Sequence, residues 1–262
     1  MLKRFFQDTR KYHHYSKYAA KAALEAEVAG SYLNRLWWIF NPFCMMIIYT
    51  IIFGYVFHAK EQYFPLFIFI GLTFWDFFNR TLNSSVKIVK KNKGIINKVY
   101  LPKFILVIKE MRINFRKMLF SGIIIVGLMV FYRVPLSWNI FWIVPVFLIE
   151  VLFTFGICCI VLHFGVFVED LSNIVRIIMR FCYYGVGVFF NIQKRIKNPI
   201  FRELDLHCNP MALILHSARQ SLIYQTTPSI HWMALWAVLS IILCLIGVRL
   251  IYAYENSYAK VI

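Results

Sequence analysis

Acidic side chains are scarce in this sequence: 12 Asp and Glu stand against 29 Lys and Arg in 262 residues, a formal net charge of +17. Such an excess raises nucleic-acid binding first, but the bases border long apolar runs instead of gathering on one basic face, which argues against that class. The motifs of enzyme chemistry are missing too. There is no GxxxxGK(S/T) phosphate loop, so ATP is not bound by that route, and no HExxH, paired CxxC or GxSxG occurs. The start of the chain does not read as a cleavable signal peptide: Lys3 and Arg4 give a basic beginning, but Gln7 to Lys21 is polar where an apolar core should follow. Nor is there a disulfide framework. Cys44, Cys158, Cys159, Cys182 and Cys244 lie inside apolar runs and only Cys208 falls in a polar connection, so the cysteines read as small packing residues. The two halves show no internal repeat of the kind found in ion-coupled carriers.

What the sequence has in abundance is apolar bulk. Its apolar content of 60% and mean hydropathy of +0.64 exceed the roughly 45–50% apolar content of soluble domains, and such a surplus exposed to water would aggregate. A bilayer-spanning helix needs about 20 predominantly apolar residues. Six stretches qualify: residues 36–57, 63–86, 104–132, 138–168, 174–190 and 232–251, the fifth being the shortest. The expected fold class is therefore an all-α integral membrane protein with six transmembrane helices.

Orientation follows from the bases. Residues 1–35 hold seven Lys and Arg and residues 87–117 hold ten; with 168–180 and the tail they make 21 on one side. The other side has seven, Lys60 and Arg133 among them, and Arg80 lies within a span. The positive-inside bias places both termini and the 87–117 region in the cytoplasm. Residues 17–35 are Ala-rich with interspersed charges and suit an amphipathic helix lying along the inner leaflet, or else a solvated leader helix. Asn41-Pro42 bends the chain into the first span. Residues 191–230 are polar, then moderately apolar from Met211 to Leu222, too short to cross, and suit an external re-entrant or surface segment.

Charges inside spans are costly and mark a partner, a cavity or an interface. Asp76 and Arg80 are spaced to neutralise each other. Glu150 has no partner evident; it either pairs across a subunit interface or lines a hydrophilic path. His163 suits a hydrogen-bonded packing role. These four make neither a proton relay nor a metal site. The basic loop at 87–103, with its Ile95-Ile96 pair, either rests on anionic lipid or docks as a short helix into a partner's groove.

Several motifs, in order, resemble one family. Leu33-Asn34-Arg35-Leu36-Trp37 followed by Asn41-Pro42 is similar to an LGxLW…P pattern. Phe53 to Phe57 resembles FGxVF, and Leu66 to Leu72 with Trp75 and Phe77-Phe78 resembles LFLFIGL..W.FF. Asn92, Gly94-Ile95-Ile96, Lys98-Val99-Tyr100 and Pro102-Lys103 match N.GLI.KVY.PK most specifically. Phe167 to Asp170 resembles VFFRD, and Asn209-Pro210 with Arg219 a late NP…R element. On these residues the chain resembles the ABC-2 type permeases that export polysaccharides, polyol phosphates and lipid-linked O antigens. It departs from them at Asn34, at Glu169 where Arg usually precedes Asp170, and at 183–190, where an SP.xY element is expected.

The resemblance implies a homodimeric, channel-forming, non-enzymatic subunit in a bacterial cytoplasmic membrane, paired with two copies of a separate ATPase that carries ATP and Mg. It implies that Lys91, Asn92, Gly94, Ile95, Ile96, Lys98, Tyr100, Pro102 and Lys103 receive force from that ATPase. Leu33, Arg35, Trp37 and Pro42 would lie beside them at the inner interface, and Glu169 and Asp170 at the cytoplasmic end of the fourth span. The substrate would be a lipid-linked glycan or polyol-phosphate polymer of O-antigen, capsule, teichoic acid or rhamnan type. Tyr49, Phe53, Tyr183, Tyr184, Phe189 and Phe190 offer sugar-stacking faces, against the plainer reading of packing aromatics. Alternatives are an ABC-2 exporter of drugs or small lipids and a membrane glycosyl- or phosphotransferase using Asp76, Glu150 or Asp170.

Overall fold

A computed structural model describes residues 1–59 and 61–261; Lys60, counted above among the outer bases, lies outside the described residues. Helices α1 (Leu2–Lys11) and α2 (His13–Val28) come first, and a 3-10 turn, Asn34–Leu36, leads into α3 (Trp37–Tyr49), which continues as π-helix through Thr50–Val56. Then come α4 (Phe64–Val86), two single turns α5 (Ile88–Lys91) and α6 (Lys93–Ile96), and α7 (Phe104–Phe131). A 3-10 segment, Trp138–Trp142, opens α8 (Ile143–Phe167), followed by α9 (Leu171–Gly185), α10 (Ile192–Arg195), α11 (Pro199–Cys208) and α12 (Pro210–Arg219). The π-helical Gln220–Tyr224 prolongs α12, and α13 (Ile230–Ala253) and α14 (Glu255–Val261) close the chain. Among the described residues there is no strand.

Among the described residues four helical stretches are long and apolar enough to cross a bilayer: Asn34–Val56, Phe104–Phe131, Trp138–Phe167 and Ile230–Ala253. At about 1.5 Å per residue each exceeds the roughly 30 Å hydrocarbon core. Helix α4, with 23 residues, is long enough, but Asp76, Asn79 and Arg80 lower its apolar character. It is the central helix, packed by α3, α7, α8, α9 and α12, and most of its side chains are buried. The peripheral α3, by contrast, buries only Met46 and turns Phe40, Met45, Ile47 and Ile48 outward. The bundle is thus apolar both in its core and on the outward faces of its peripheral helices, as an element in contact with hydrocarbon can be.

Two expectations are corrected. The helix expected over residues 17–35 begins at His13 and stops at Val28, because Gly30 turns the chain at a φ of +81°, a conformation side chains resist. The span expected at 174–190 is helical only through Gly185; its 15 residues cover about 22 Å, and Val186–Phe190 leaves the helix. Pro42 lies in the second turn of α3.

Residues 191–230 are largely helical. Asn198 and Asn209 each precede a proline and cap the following helix: Ile200 N–H donates to Asn198 Oδ1 at 3.0 Å, and Met211 N–H to Asn209 Oδ1 at 3.2 Å. Helix α12 is buried between α4 and α8 instead of lying exposed on an outer surface.

The most extensive helix pairing is α8 on α13. A Cβ on Gly156 would fall 2.8 Å from Cys244 N, and one on Gly247 would fall 2.7 Å from Cys159 Cβ. Glycines at both contact points let the backbones touch. Gly247→Ala is expected to force these helices apart and cost about 1–3 kcal/mol, an overpacking penalty, read as a lower melting temperature of the detergent-solubilised chain.

Candidate functional site

The loop at 87–103 is organised by which residues face the bundle. Ile88, Val89, Ile96, Leu101, Pro102 and Lys103 are buried, while Lys91, Lys93, Gly94, Ile95, Lys98 and Val99 face outward. Asn92 folds back, its Nδ2 donating to Ile88 O at 2.7 Å. The outward side is a ridge of lysines around two apolar side chains, Ile95 at 43% and Val99 at 58% exposure.

A clamp built from both ends of the chain holds the base of this ridge. Arg4 Nη2 donates to Tyr100 Oη at 2.6 Å and to Glu255 Oε1 at 2.9 Å, and Tyr100 O–H donates to Glu255 Oε2 at 2.9 Å. Tyr12 O–H donates to Tyr100 O at 2.9 Å, and Tyr252 O–H to Asp8 Oδ2 at 2.6 Å. The Arg4 guanidinium lies 4.4 Å over the Tyr252 ring. Its hydrogen bond to Glu255 holds the Arg4 pKa above its usual value, whereas burial raises that of Tyr100 and lowers that of Lys103.

Just past the end of α8, Glu169 pairs with Lys90 at 3.5 Å, so the acid that departs from the expected motif finds a base on α5. Asp170 is exposed at the start of α9. His163 Nδ1 is 2.8 Å from Tyr258 Oη, joining α8 to the buried Tyr258 of α14.

An inner cavity of about 430 Å³ opens where α2, α3, α4 and α7 meet. Trp37, Trp38, Asn41 and Pro42 line one side and Thr73, Asp76, Arg80 and Asn114 the other. Arg80 donates to Asp76 at 2.9 Å within it. Trp37 Nε1 donates to Ser31 Oγ at 2.8 Å, fixing the turn that carries Leu33 and Arg35, both exposed. Arg35 lines a separate groove next to α7.

Five of the six selected aromatics gather around Phe189. Its centroid lies 4.5 Å from Phe53, 4.8 Å from Tyr49, 4.9 Å from Tyr183 and 6.0 Å from Tyr184. Phe190 instead joins Phe57, Glu61, Asn191 and Lys194 in lining an adjacent cavity of about 460 Å³. Trp75 packs 5.5 Å from Tyr183 and extends the cluster into α4.

Phe189 sits in the non-helical stretch after α9, and its backbone is held by a residue far along the chain. Arg219 donates to Phe67 O at 3.2 Å, Gly187 O at 2.7 Å and Val188 O at 2.8 Å, and its guanidinium lies 3.5 Å over the Phe67 ring. Carbonyls freed where a helix breaks must find donors away from water, and this arginine supplies them. Glu150 is the opposite case: it is wholly enclosed in the monomer, and neither carboxyl oxygen has a hydrogen-bond partner.

The terminal clamp and the outer network of Glu61, Lys194 and Tyr224, where Lys194 Nζ and Tyr224 Oη each lie 2.9 Å from Glu61 Oε2, join residues that no local motif connects. Arg219 did give a signal, being a lone base in the apolar stretch Met211 to Leu222. Among the described residues no three His, Cys, Asp or Glu side chains converge on a possible metal site.

Long apolar helices that turn large apolar side chains outward mark a membrane protein. Over 237 residues, 90% of this chain and 91% of the relative, it is 23% identical to an O-antigen export system permease protein RfbA of Myxococcus xanthus. It is 24% identical over 242 residues to RfbA of Klebsiella pneumoniae, covering 91% of both chains. No protein-family model matches. The motif likeness to ABC-2 type permeases is thus matched by whole-chain similarity to export permeases.

Proposed function

We propose that this chain is the membrane subunit of an ATP-driven exporter moving a lipid-linked polysaccharide or polyol-phosphate polymer, of O-antigen, capsule, teichoic acid or rhamnan type, across a bacterial cytoplasmic membrane. The observation that carries this reading is the similarity to O-antigen export permeases over nine-tenths of the chain. On this reading α4 and the α9-to-Phe190 stretch complete six spans, both termini face the cytoplasm, and two copies form the conduit. A separate ATPase, present twice and holding ATP and Mg, seats on the ridge of α5 and α6.

The ridge geometry supports such a seat, since exposed Ile95 and Val99 ringed by lysines match a docking element with an apolar centre and polar rim. The clamp supports force transfer. A push on the ridge meets Tyr100, which Arg4 and Glu255 tie to α1 and α14, so it passes to the bundle instead of bending a loose loop. At the far end the rings around Phe189 offer sugar-stacking faces.

The test is reconstitution of the chain with its partner ATPase in proteoliposomes, with a labelled lipid-linked glycan on the ATP side. Glycan is expected to cross only when both chains and ATP are present. Crossing with this chain alone, without ATPase or ATP, overturns the reading. ATP-dependent passage of small amphiphiles but never of glycan replaces it with the small-molecule exporter.

A further inference from the structure

Helix α2 packs on α7 through Ala20 and Leu24 against Ile113, and its buried positions Ser16, Ala20, Leu24 and Val28 recur every fourth residue. That register puts Lys21 and Glu25 on the flank of the contact. There they border a groove of about 450 Å³ whose far side is formed by Arg116 of α7 and closed at one end by Arg35. Its floor is Leu119, Phe120 and Ile123.

Three cations therefore stand around a groove with one carboxylate. Glu25 is 3.8 Å from Lys21, both well exposed, so that pair is weak. Among the described residues Arg35 and Arg116 make no ion pair. Below the cations the surface changes character abruptly. Leu119, Ile123, Val126 and Val130 form one exposed stripe along α7, running away from Arg116 for about 21 Å at the helical rise and so past the bilayer midplane, about 15 Å deep. Trp38 packs on Phe120 at a centroid distance of 5.5 Å, at the junction of the two zones, the depth at which indoles collect in membranes.

We propose that this groove binds an anionic phospholipid of the inner leaflet, its phosphodiester oxygens accepting hydrogen bonds from Arg35, Arg116 and Lys21 and an acyl chain lying on the α7 stripe. Charge complementarity selects this occupant over a second copy of the chain, which would bring its own large positive charge to the same place. The inference rests on membrane placement alone, so its test does not involve export.

The full-length chain is placed in nanodiscs of equimolar phosphatidylglycerol and phosphatidylcholine, extracted into mild detergent, and its retained lipid counted by native mass spectrometry. Wild type is expected to retain phosphatidylglycerol preferentially. Each cation near a membrane surface is worth about fivefold, so Lys21→Gln, Arg35→Gln and Arg116→Gln together should lower that preference about a hundredfold, and Arg116→Gln alone about fivefold. Arg116→Lys should keep most of it. A control losing the same charge elsewhere, Lys3→Gln with Arg10→Gln and Lys11→Gln, should keep it all. No preference in wild type, an unchanged preference in the triple and Arg116→Gln variants, or an equal loss in the control overturns the site. So does efficient disulfide cross-linking of Ile123→Cys between two copies in the membrane, which would put protein in the groove.

Discussion

Arg219→Met is expected to destabilise the protein by about 2–6 kcal/mol, because two buried carbonyls, those of Gly187 and Val188, lose their donor at about 1–3 kcal/mol each. For a chain of this size that corresponds to a melting temperature lower by about 4–24 °C. The carbonyls of Gly187 and Val188 lie in the stretch where α9 has stopped being a helix, and they have no intrahelical donor. Methionine keeps much of the volume against Phe67 and removes the cost of burying a charge, so a large loss reports the hydrogen bonds and not a cavity. Arg219→Lys keeps a cation but not the planar fork that reaches three acceptors, and should recover less than half of the loss. The disturbance should spread to Phe189, since the same stretch positions it, and through Tyr183 to Trp75, whose near-ultraviolet dichroism should weaken. If Arg219→Met melts like wild type, Val186–Phe190 is held by its aromatic packing and the arginine is incidental.

The physical range of each signal decided what could be read from sequence. Long apolar runs with basic flanks are local, so Asn34–Val56, Phe104–Phe131, Trp138–Phe167 and Ile230–Ala253 were legible within a few residues. Hydropathy does not distinguish helix from apolar coil, which is why Val186 to Phe190 passed for the end of a span; its true state is set by Arg219, some thirty residues on. The Ala-rich segment before the first span was legible as helix, but its end lay at Gly30, a residue that hydropathy averages away. Spacing alone anticipated the Asp76–Arg80 pair, because residues four apart in a helix are neighbours. The clamp could not be anticipated: Arg4 and Glu255 are 251 positions apart and their ends of the chain meet only in the fold.

On the proposed function, Ile95→Asp is expected to release the partner ATPase while leaving this chain folded. Ile95 is an exposed apolar side chain at the centre of the basic ridge and makes no core contact that the substitution would remove. A buried anchor at the centre of a protein interface is worth about 2–4 kcal/mol, so retention of the ATPase on the immobilised chain should fall about 30-fold or more, at tenfold per 1.4 kcal/mol. Lys98→Glu, which alters an exposed charge beside that anchor, should slow association and make it more salt-sensitive, with a smaller loss of affinity. Lys103 belongs to a different category despite its place in the same motif. It is buried and lies close to Tyr100 and Glu255, so Lys103→Glu would set an acid beside the clamp's own carboxylate and lower the melting temperature itself. The three variants therefore separate docking from folding: Ile95→Asp loses the ATPase at an unchanged melting temperature, and Lys103→Glu loses both. Normal retention of the ATPase and normal ATP-dependent export by Ile95→Asp would mean that the ridge is not where the force arrives.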